Sequence, residues 1–304
     1  MIIAVTGATG FIGAAICAAL IEAGFDVRAL VRSPERAEQL LPAAVNIIQG
    51  DLDSTARLNE LVTDCDCVIH CAGSVRGASQ AAFDRTNVTG TQHVVEAIQR
   101  MATPARLLLL SSLAAREPGL SWYAASKHRG EMLVANADPA LQWVGLRPPP
   151  VYGPGDKEML PIFKLMSRGL APVPGNPGNR ISLVHVDDVV QVIVGLLELA
   201  NWPGRSYTLC DGRETGYDWD ELSTIAAKVW QRKVRIWRIP TWAADRVAGF
   251  NLYLARRFGY APMLTPAKLR ELRHPDWVVD NKELTALLGW QPRVDLEQGI
   301  TRLW

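Results

Sequence analysis

Between residues 1 and 150, short apolar runs alternate with segments of helical periodicity. No other feature of the chain restricts its fold as strongly. IIAVTG, DVRALVR, VNIIQGD, DCVIHCAG, ARLLLLSS and LQWVGLRP read as strands. FIGAAICAALIEAG, PERAEQLL, TARLNELVTDC, NVTGTQHVVEAIQRM and YAASKHRGEMLVANA read as the helices between them. Gly24 closes the first helix and Pro34 opens the second. Such a rhythm predicts a parallel sheet covered by helices on both faces. The strands are nearly continuous apolar runs, as expected for strands buried on both sides.

After Pro148 the texture changes. RPPPVYGPGDKE and APVPGNPGN are rich in Pro and Gly and read as loops. ISLVHV and SYTLCDG read as two more strands of the first sheet, flanking the helix DDVVQVIVGLLELA. Residues 1–150 and 181–211 are therefore expected to form one domain, with 151–180 and 212–304 forming a substrate-binding lobe. Eight of the ten tryptophans lie after residue 200, either as packing or as an apolar substrate pocket in that lobe.

Composition removes several classes of function. The chain has 304 residues, with 32 Lys plus Arg against 31 Asp plus Glu, so no basic face for nucleic acid is expected. No apolar run reaches the roughly 18 residues of a membrane span. MIIAVTG lacks a charged segment ahead of an apolar stretch and reads as a strand rather than a secretory signal. Cys17, Cys65, Cys67, Cys71 and Cys210 form an odd set without paired spacing, which implies free thiols in a reducing, cytoplasmic compartment. The Cys65-x-Cys67 pair has no second pair or His at ligand spacing, so no metal site is assigned.

The first strand runs into VTGATGFIG, with Gly7, Gly10 and Gly13 spaced G-x-x-G-x-x-G. A glycine-rich turn between a strand and a helix N-terminus makes an anion site from free backbone N–H groups and the helix dipole. Glycines there let the backbone approach a pyrophosphate. The other reading restricts the three glycines to turn and packing. Phe11 and Ile12 belong to the same loop. An acid at the end of the second strand would select NAD, and an Arg would accept the 2′-phosphate of NADP. VRALVRSP offers Arg28 and Arg32 and no acid, so NADP is expected through Arg32, with NAD possible. Asp51 and Leu52 follow the third strand and should lie near the adenine. Cys71, Ala72 and Gly73 end the fourth, where small residues let a cofactor cross the sheet edge. Val151 completes the candidate cofactor set.

Tyr123 and Lys127 in WYAASKHRG are four apart on a helix and share a face. A phenol has a pKa of about 10. A neighbouring Lys⁺ favours the phenolate and is expected to lower that value. The pair can exchange a proton with an alcohol or carbonyl oxygen. Ser111 and Ser112 end the strand just before it, where open α/β sheets bind ligands. Ser112 is the first choice for a hydroxyl on the reacting oxygen, and Ser111 the second.

In family order, TGATGFIG, GDL, HCAG, NVTGT, SS, YAASK, LRPPPVYGPGD, LVHVDDVV and LLGWQPRVDLEQGI resemble an extended short-chain dehydrogenase/reductase of the NAD-dependent epimerase/dehydratase superfamily. The resemblance spans nearly the whole chain. It implies a Rossmann-type doubly wound parallel sheet with a smaller C-terminal substrate lobe and a nicotinamide cofactor. By motif matching, Tyr123 would be the catalytic acid/base, Lys127 would hold the ribose and tune Tyr123, and Asn87 would be mainly structural. Sugar-nucleotide members usually carry Asn where Pro150 stands and Arg where Ile181 stands; Arg180 lies one residue off. Dehydratases add an acid where this chain has Leu113. LRPPPVYGPGD and ELRHPDW look more like the 3β-hydroxysteroid dehydrogenase and dihydroflavonol reductase-like branches, which act on apolar ketones and alcohols.

Three functions stay open: an NADP(H)-dependent oxidoreductase of an apolar ketone or alcohol, a nucleotide-sugar epimerase or dehydratase with retained NAD, and a non-catalytic NADP-binding regulator. A homodimer is the family-level expectation. His128, His70 and His185 are read as structural, and Asp187 or Asp188 as the N-cap of the helix that follows. PTWAADRVAGFNLYLARRFGY, around residues 240–260, reads either as lobe packing or as an interfacial membrane or partner helix.

Overall fold

The computed structural model describes residues 1–303. Its centre is a seven-stranded parallel sheet. The first six strands are β1 (Ile2–Thr6), β2 (Asp26–Val31), β3 (Asn46–Gln49), β4 (Cys67–His70), β5 (Arg106–Leu110) and β6 (Trp143–Arg147). Four short strands follow: β7 (Val151–Tyr152), β8 (Leu170–Val173), β9 (Arg180–Ile181) and β10 (Val184–His185). Then β11 (Arg205–Thr208) returns to the main sheet, and β12 (Arg235–Arg238) and β13 (Asp276–Trp277) lie outside it.

The sheet order is β11-β6-β5-β4-β1-β2-β3. The chain builds outward from β1 through β2 and β3, then restarts at β4 on the other side. That reversal between β1 and β4 is a topological switch point, and open sheets bind ligands there, beyond the C-terminal strand ends. In register, Thr6 lies opposite both Leu30 and His70. Buried His70 bonds Thr6 Oγ1 (2.7 Å) and Thr91 Oγ1 (3.1 Å), the structural role expected of it.

Alternate side chains divide the core. Ile3 and Val5 face α1 (Phe11–Glu22) and the helix at Val186–Leu197, packing with Ile16, Leu20, Val189 and Ile193. Ala4 and Val68 face the opposite side, with Leu58, Leu61, Val94 and Ile98. Those four come from α3 (Thr55–Val62) and α5 (Gly90–Gln99); α4 (Gln80–Asp84), α6 (Trp122–Ala135), α7 (Leu160–Ser167) and α8 (Val186–Leu197) complete the helices of this part of the chain. Burial on both faces is what the apolar strands imply. Local chemistry sets several helix starts: Ser33 caps α2 (Pro34–Leu40), and Ser121 caps the helix Trp122–Ala135 through Ala124 N (2.9 Å).

Three expectations change. SYTLCDG supplies β11 of the main sheet, but ISLVHV does not join it: β9 pairs with β13 and β10 with β7. The edge beside β6 belongs to β11, and the prolines at 148–150 remove the N–H donors a continuing ladder would need. The segment NVTGT opens in a π-turn at Arg85–Thr89 before the α-helix begins. The N-cap before Val186 is His185, whose ring accepts from Asp187 N (3.3 Å). Asp188 is buried and instead accepts from the N–H groups of Arg293 (2.8 Å) and Val294 (3.2 Å).

A second apolar core, with Tyr152, Phe163, Met166, Leu183, Leu222 and Ile300, lies under the C-terminal segments. No helix among the described residues is long and apolar enough to cross a membrane.

Candidate active site

A cleft of about 1500 Å³ runs along the C-terminal edge of the sheet. Its first end is built by the glycine loop. Gly7 has φ +74°, and a Cβ there would stand 2.5 Å from the Ala72 nitrogen. A Cβ on Gly13 would stand 2.2 Å from the Gly7 carbonyl oxygen. Both positions therefore exclude side chains, which brings α1 and the β4 loop close to β1. Gly10 is the N-cap of α1 and has no side chain to cap it, so the first-turn N–H groups face the cleft. This cradle fits the pyrophosphate of a dinucleotide.

Beyond the glycine loop, at the end of β2, Arg32 and Arg36 line the cleft, and no ion pair engages either guanidinium among the described residues. Arg36 stands four residues after Arg32, in the first turn of α2. Arg28 turns away and donates to the Thr63 carbonyl. Asp51, Leu52, Cys71, Ala72, Gly73 and Val151 line the cleft between this end and the next.

At the middle stand Ser112, Tyr123 and Lys127. Ser112 Oγ accepts from Ala114 N (3.2 Å) and lies near enough to Tyr123 to act on its phenol. Ser111 is buried and donates to Glu131, which also holds Arg147 (2.5 Å). Lys127 is buried and donates to the Leu110 carbonyl (2.8 Å). Burial lowers the Lys127 ammonium to about 8, against the opposing pull of Cys71 and Glu131. The Tyr123 phenol is pushed up to about 12, chiefly by burial and further by the Glu271 carboxylate, with Ser112 opposing. This corrects the expectation that Lys127 lowers Tyr123. Desolvation outweighs any help from an ammonium that is tied to the Leu110 carbonyl.

Asn87 holds the neighbouring loop. Its amide donates to Ser74 O (3.0 Å) and Ser126 Oγ (2.8 Å) and accepts from Ser74 N (2.8 Å). His128 lies outside the residues lining the cleft.

The far end is walled mainly by apolar side chains from the C-terminal segments, among them Met159, Phe163, Leu183, Trp219, Met263 and Trp277. Arg180 borders it, but its guanidinium is held by Asp218 (3.1 Å) and Glu221 (2.7 Å) and by backbone carbonyls. Helix α9 (Trp219–Val229) presents these two acids through its capping box. From α11 (Pro266–Arg273), Lys268 sits 5.6 Å from the centre of the Tyr123 ring and pairs with Glu271 (2.6 Å). Glu271 also accepts from Ser121 at the start of the tyrosine's helix.

The fifteen residues assigned from the sequence to catalysis or cofactor binding all line this cleft. Arg36, Lys268 and Glu271 were missed. Arg36 had a local signal, being four residues from Arg32 on a helix capped by Ser33. Lys268 and Glu271 had none, because only the tertiary fold brings α11 to Tyr123.

A nucleotide cradle at a topological switch point, followed by a Ser-Tyr-Lys set, defines an NAD(P)-dependent oxidoreductase of the extended short-chain dehydrogenase/reductase type. The chain belongs to the NAD dependent epimerase/dehydratase family, whose model matches residues 3–210. It is 35% identical over 284 residues to a ceramide reductase of Caulobacter vibrioides, covering 91% of this chain and 85% of that one. It is 27% identical to a 2-alkyl-3-oxoalkanoate reductase of Stenotrophomonas maltophilia, covering 100% and 98%. A UDP-glucuronic acid 4-epimerase from Bacillus cereus, solved with UDP-glucuronic acid and NAD, superposes with a TM-score of 0.78 at 21% identity, covering 99% and 97%. That last likeness is one of fold.

Proposed function

We propose that the enzyme uses NADP(H) to interconvert an apolar ketone and its secondary alcohol, with Tyr123 as the acid/base. One observation carries this reading: the substrate end of the cleft is walled mainly by apolar side chains, while the arginine bordering it is already committed to Asp218 and Glu221. A sugar diphosphate would need free cations there. The names of the two reductase relatives support the same class of substrate.

A bound nicotinamide dinucleotide supplies or takes the hydride. In the reductive direction Tyr123 gives its proton to the carbonyl oxygen; a phenol raised to about 12 keeps that proton at neutral pH. Ser112 hydrogen-bonds the same oxygen. Lys127 holds the ribose. The preference for NADP rests on the unpaired Arg32 and Arg36. Residues 1–150 and 181–211 bind the cofactor, and 151–180 with 212–304 bind the substrate. The free cysteines suit a reducing, cytoplasmic setting.

The test is NADPH consumption with long-chain 3-oxo substrates, beside UDP-sugars, for the enzyme and for Tyr123→Phe. We expect turnover on the ketones, a fall in kcat of about 10³-fold in the variant, and unchanged NADPH binding. Full activity in Tyr123→Phe overturns the mechanism. Stoichiometric NAD⁺ released from the purified protein on denaturation, with turnover of a UDP-sugar, overturns the function.

A further inference from the structure

Helix α10 (Thr241–Phe258) packs through one narrow face. Ala244, Ala248 and Ala255 are buried, and Ala244 and Ala248 meet Leu269. Among the described residues no element covers the opposite face. Trp242, Phe250, Tyr253 and Phe258 are 65, 63, 65 and 72 % exposed. At about 100° per residue, Trp242, Arg246, Phe250, Tyr253 and Arg257 fall within a sector of roughly 80°, pointing away from the buried alanines. Large aromatics therefore alternate with guanidinium groups on one outward surface.

The charge is just as uneven. Residues 232–258 carry seven Lys and Arg against one acid, in a chain whose formal net charge is +1. That acid, Asp245, lies off the outward sector and pairs with Arg273 (2.7 Å). Trp237 on β12 is exposed as well.

We propose that α10 docks this enzyme on the surface of an anionic phospholipid bilayer. Trp and Tyr settle at the level of lipid headgroups, and arginines beside them meet lipid phosphates. A second copy of the chain fits this face poorly, because a two-fold contact would set Arg246 and Arg257 against their own kind with no acid between. The helix is amphipathic and too polar to span, as a helix lying in the interface should be.

The placement serves the cleft. Gly259, at φ +74°, ends α10, and the chain then returns through Met263 and Leu264, both of which line the cleft. Asn251 of α10 donates to the Leu264 carbonyl (2.8 Å) and so ties the helix to that wall. A docked α10 sets the apolar end of the cleft near the lipid phase. Delivery of substrate from the bilayer rests on the proposed ketone chemistry; docking itself does not.

The experiment is co-sedimentation of the full chain with vesicles of phosphatidylcholine alone or mixed with phosphatidylglycerol. NADPH binding and thermal unfolding are measured on the same samples to show that each variant is folded. We expect binding to the anionic vesicles that falls at about 0.5 M salt. Trp242→Ser/Phe250→Ser/Tyr253→Ser and Arg246→Glu/Arg257→Glu should each weaken it about tenfold or more, with NADPH binding unchanged. Absence of wild-type binding to anionic vesicles overturns the proposal, as does full binding by either folded variant. Self-association in the ultracentrifuge that the serine variant abolishes, without vesicle binding, assigns the face to a second copy and also overturns it. Loss of ketone turnover alone would strike the functional reading and leave docking standing.

Discussion

Ser111 and Ser112 are neighbours that face opposite ways, because side chains leave an extended chain on alternate sides. Ser112 meets Tyr123 at the cleft, while Ser111 meets Glu131 behind it. Ser112→Ala should lower kcat about 10²-fold with little change in unfolding. Ser111→Ala should leave kcat nearly intact and cost about 1–3 kcal/mol, since buried Glu131 loses a donor. Steady-state kinetics and urea unfolding on both variants separate the roles. Lys127 makes a further residue-level prediction. Its ammonium titrates near 8 in the folded chain and near 10.5 when free. Between those values the unfolded chain binds more protons, so this group's contribution to stability rises with pH across that window. The stability difference between the enzyme and Lys127→Met should therefore shift in the enzyme's favour from pH 7.5 to pH 10. An unchanged difference would mean that Lys127 is not desolvated.

At the level of elements, the turn from β1 into α1 depends on what is missing from its side chains. Gly13→Ala would place a methyl group 2.2 Å from the Gly7 carbonyl, against backbone that cannot yield. The variant should lose about 1–3 kcal/mol of stability. Its dinucleotide affinity should fall by at least tenfold, read by fluorescence titration, because the loop moves off the helix N-terminus. Features of this kind were legible in the sequence because their causes are local. β1, α1 and the Tyr123 helix follow from apolar period, glycine spacing and a capping serine within a few residues. The pairing of β10 with β7 was not legible, because it depends on β11 taking the sheet edge from twenty residues further along. The Tyr123 pKa was not legible either. The sequence shows Lys127 one turn away, but the burial that raises the phenol is a product of the tertiary fold, and the Glu271 carboxylate that adds to it comes from the C-terminal segments.

For the molecule as a whole, the cleft lies between the sheet and the C-terminal segments, and polar ties cross it on several sides. Arg116 donates to the carbonyls of Asp276 (2.5 Å) and Val278 (3.2 Å), Ser121 to Glu271, and Arg76 to Glu158 (2.9 Å). A ligand seated there contacts groups that only the folded chain assembles, so it stabilises by mass action. At a concentration a hundred times its Kd that amounts to about 2.7 kcal/mol, or several degrees in Tm for a chain of this size. NADPH should produce that rise. NADH should produce a smaller one at equal concentration, because it offers no 2′-phosphate to Arg32 and Arg36. In Arg32→Asp the order should reverse: the new carboxylate repels the 2′-phosphate and can accept from the ribose hydroxyl of NADH. A UDP-sugar should leave Tm where it was, since Arg180 would have to abandon both Asp218 and Glu221 to reach a diphosphate, stranding two half-buried carboxylates. A UDP-sugar that raised Tm as far as NADPH would show that this exchange occurs, and the apolar-ketone reading would give way to a sugar-nucleotide one.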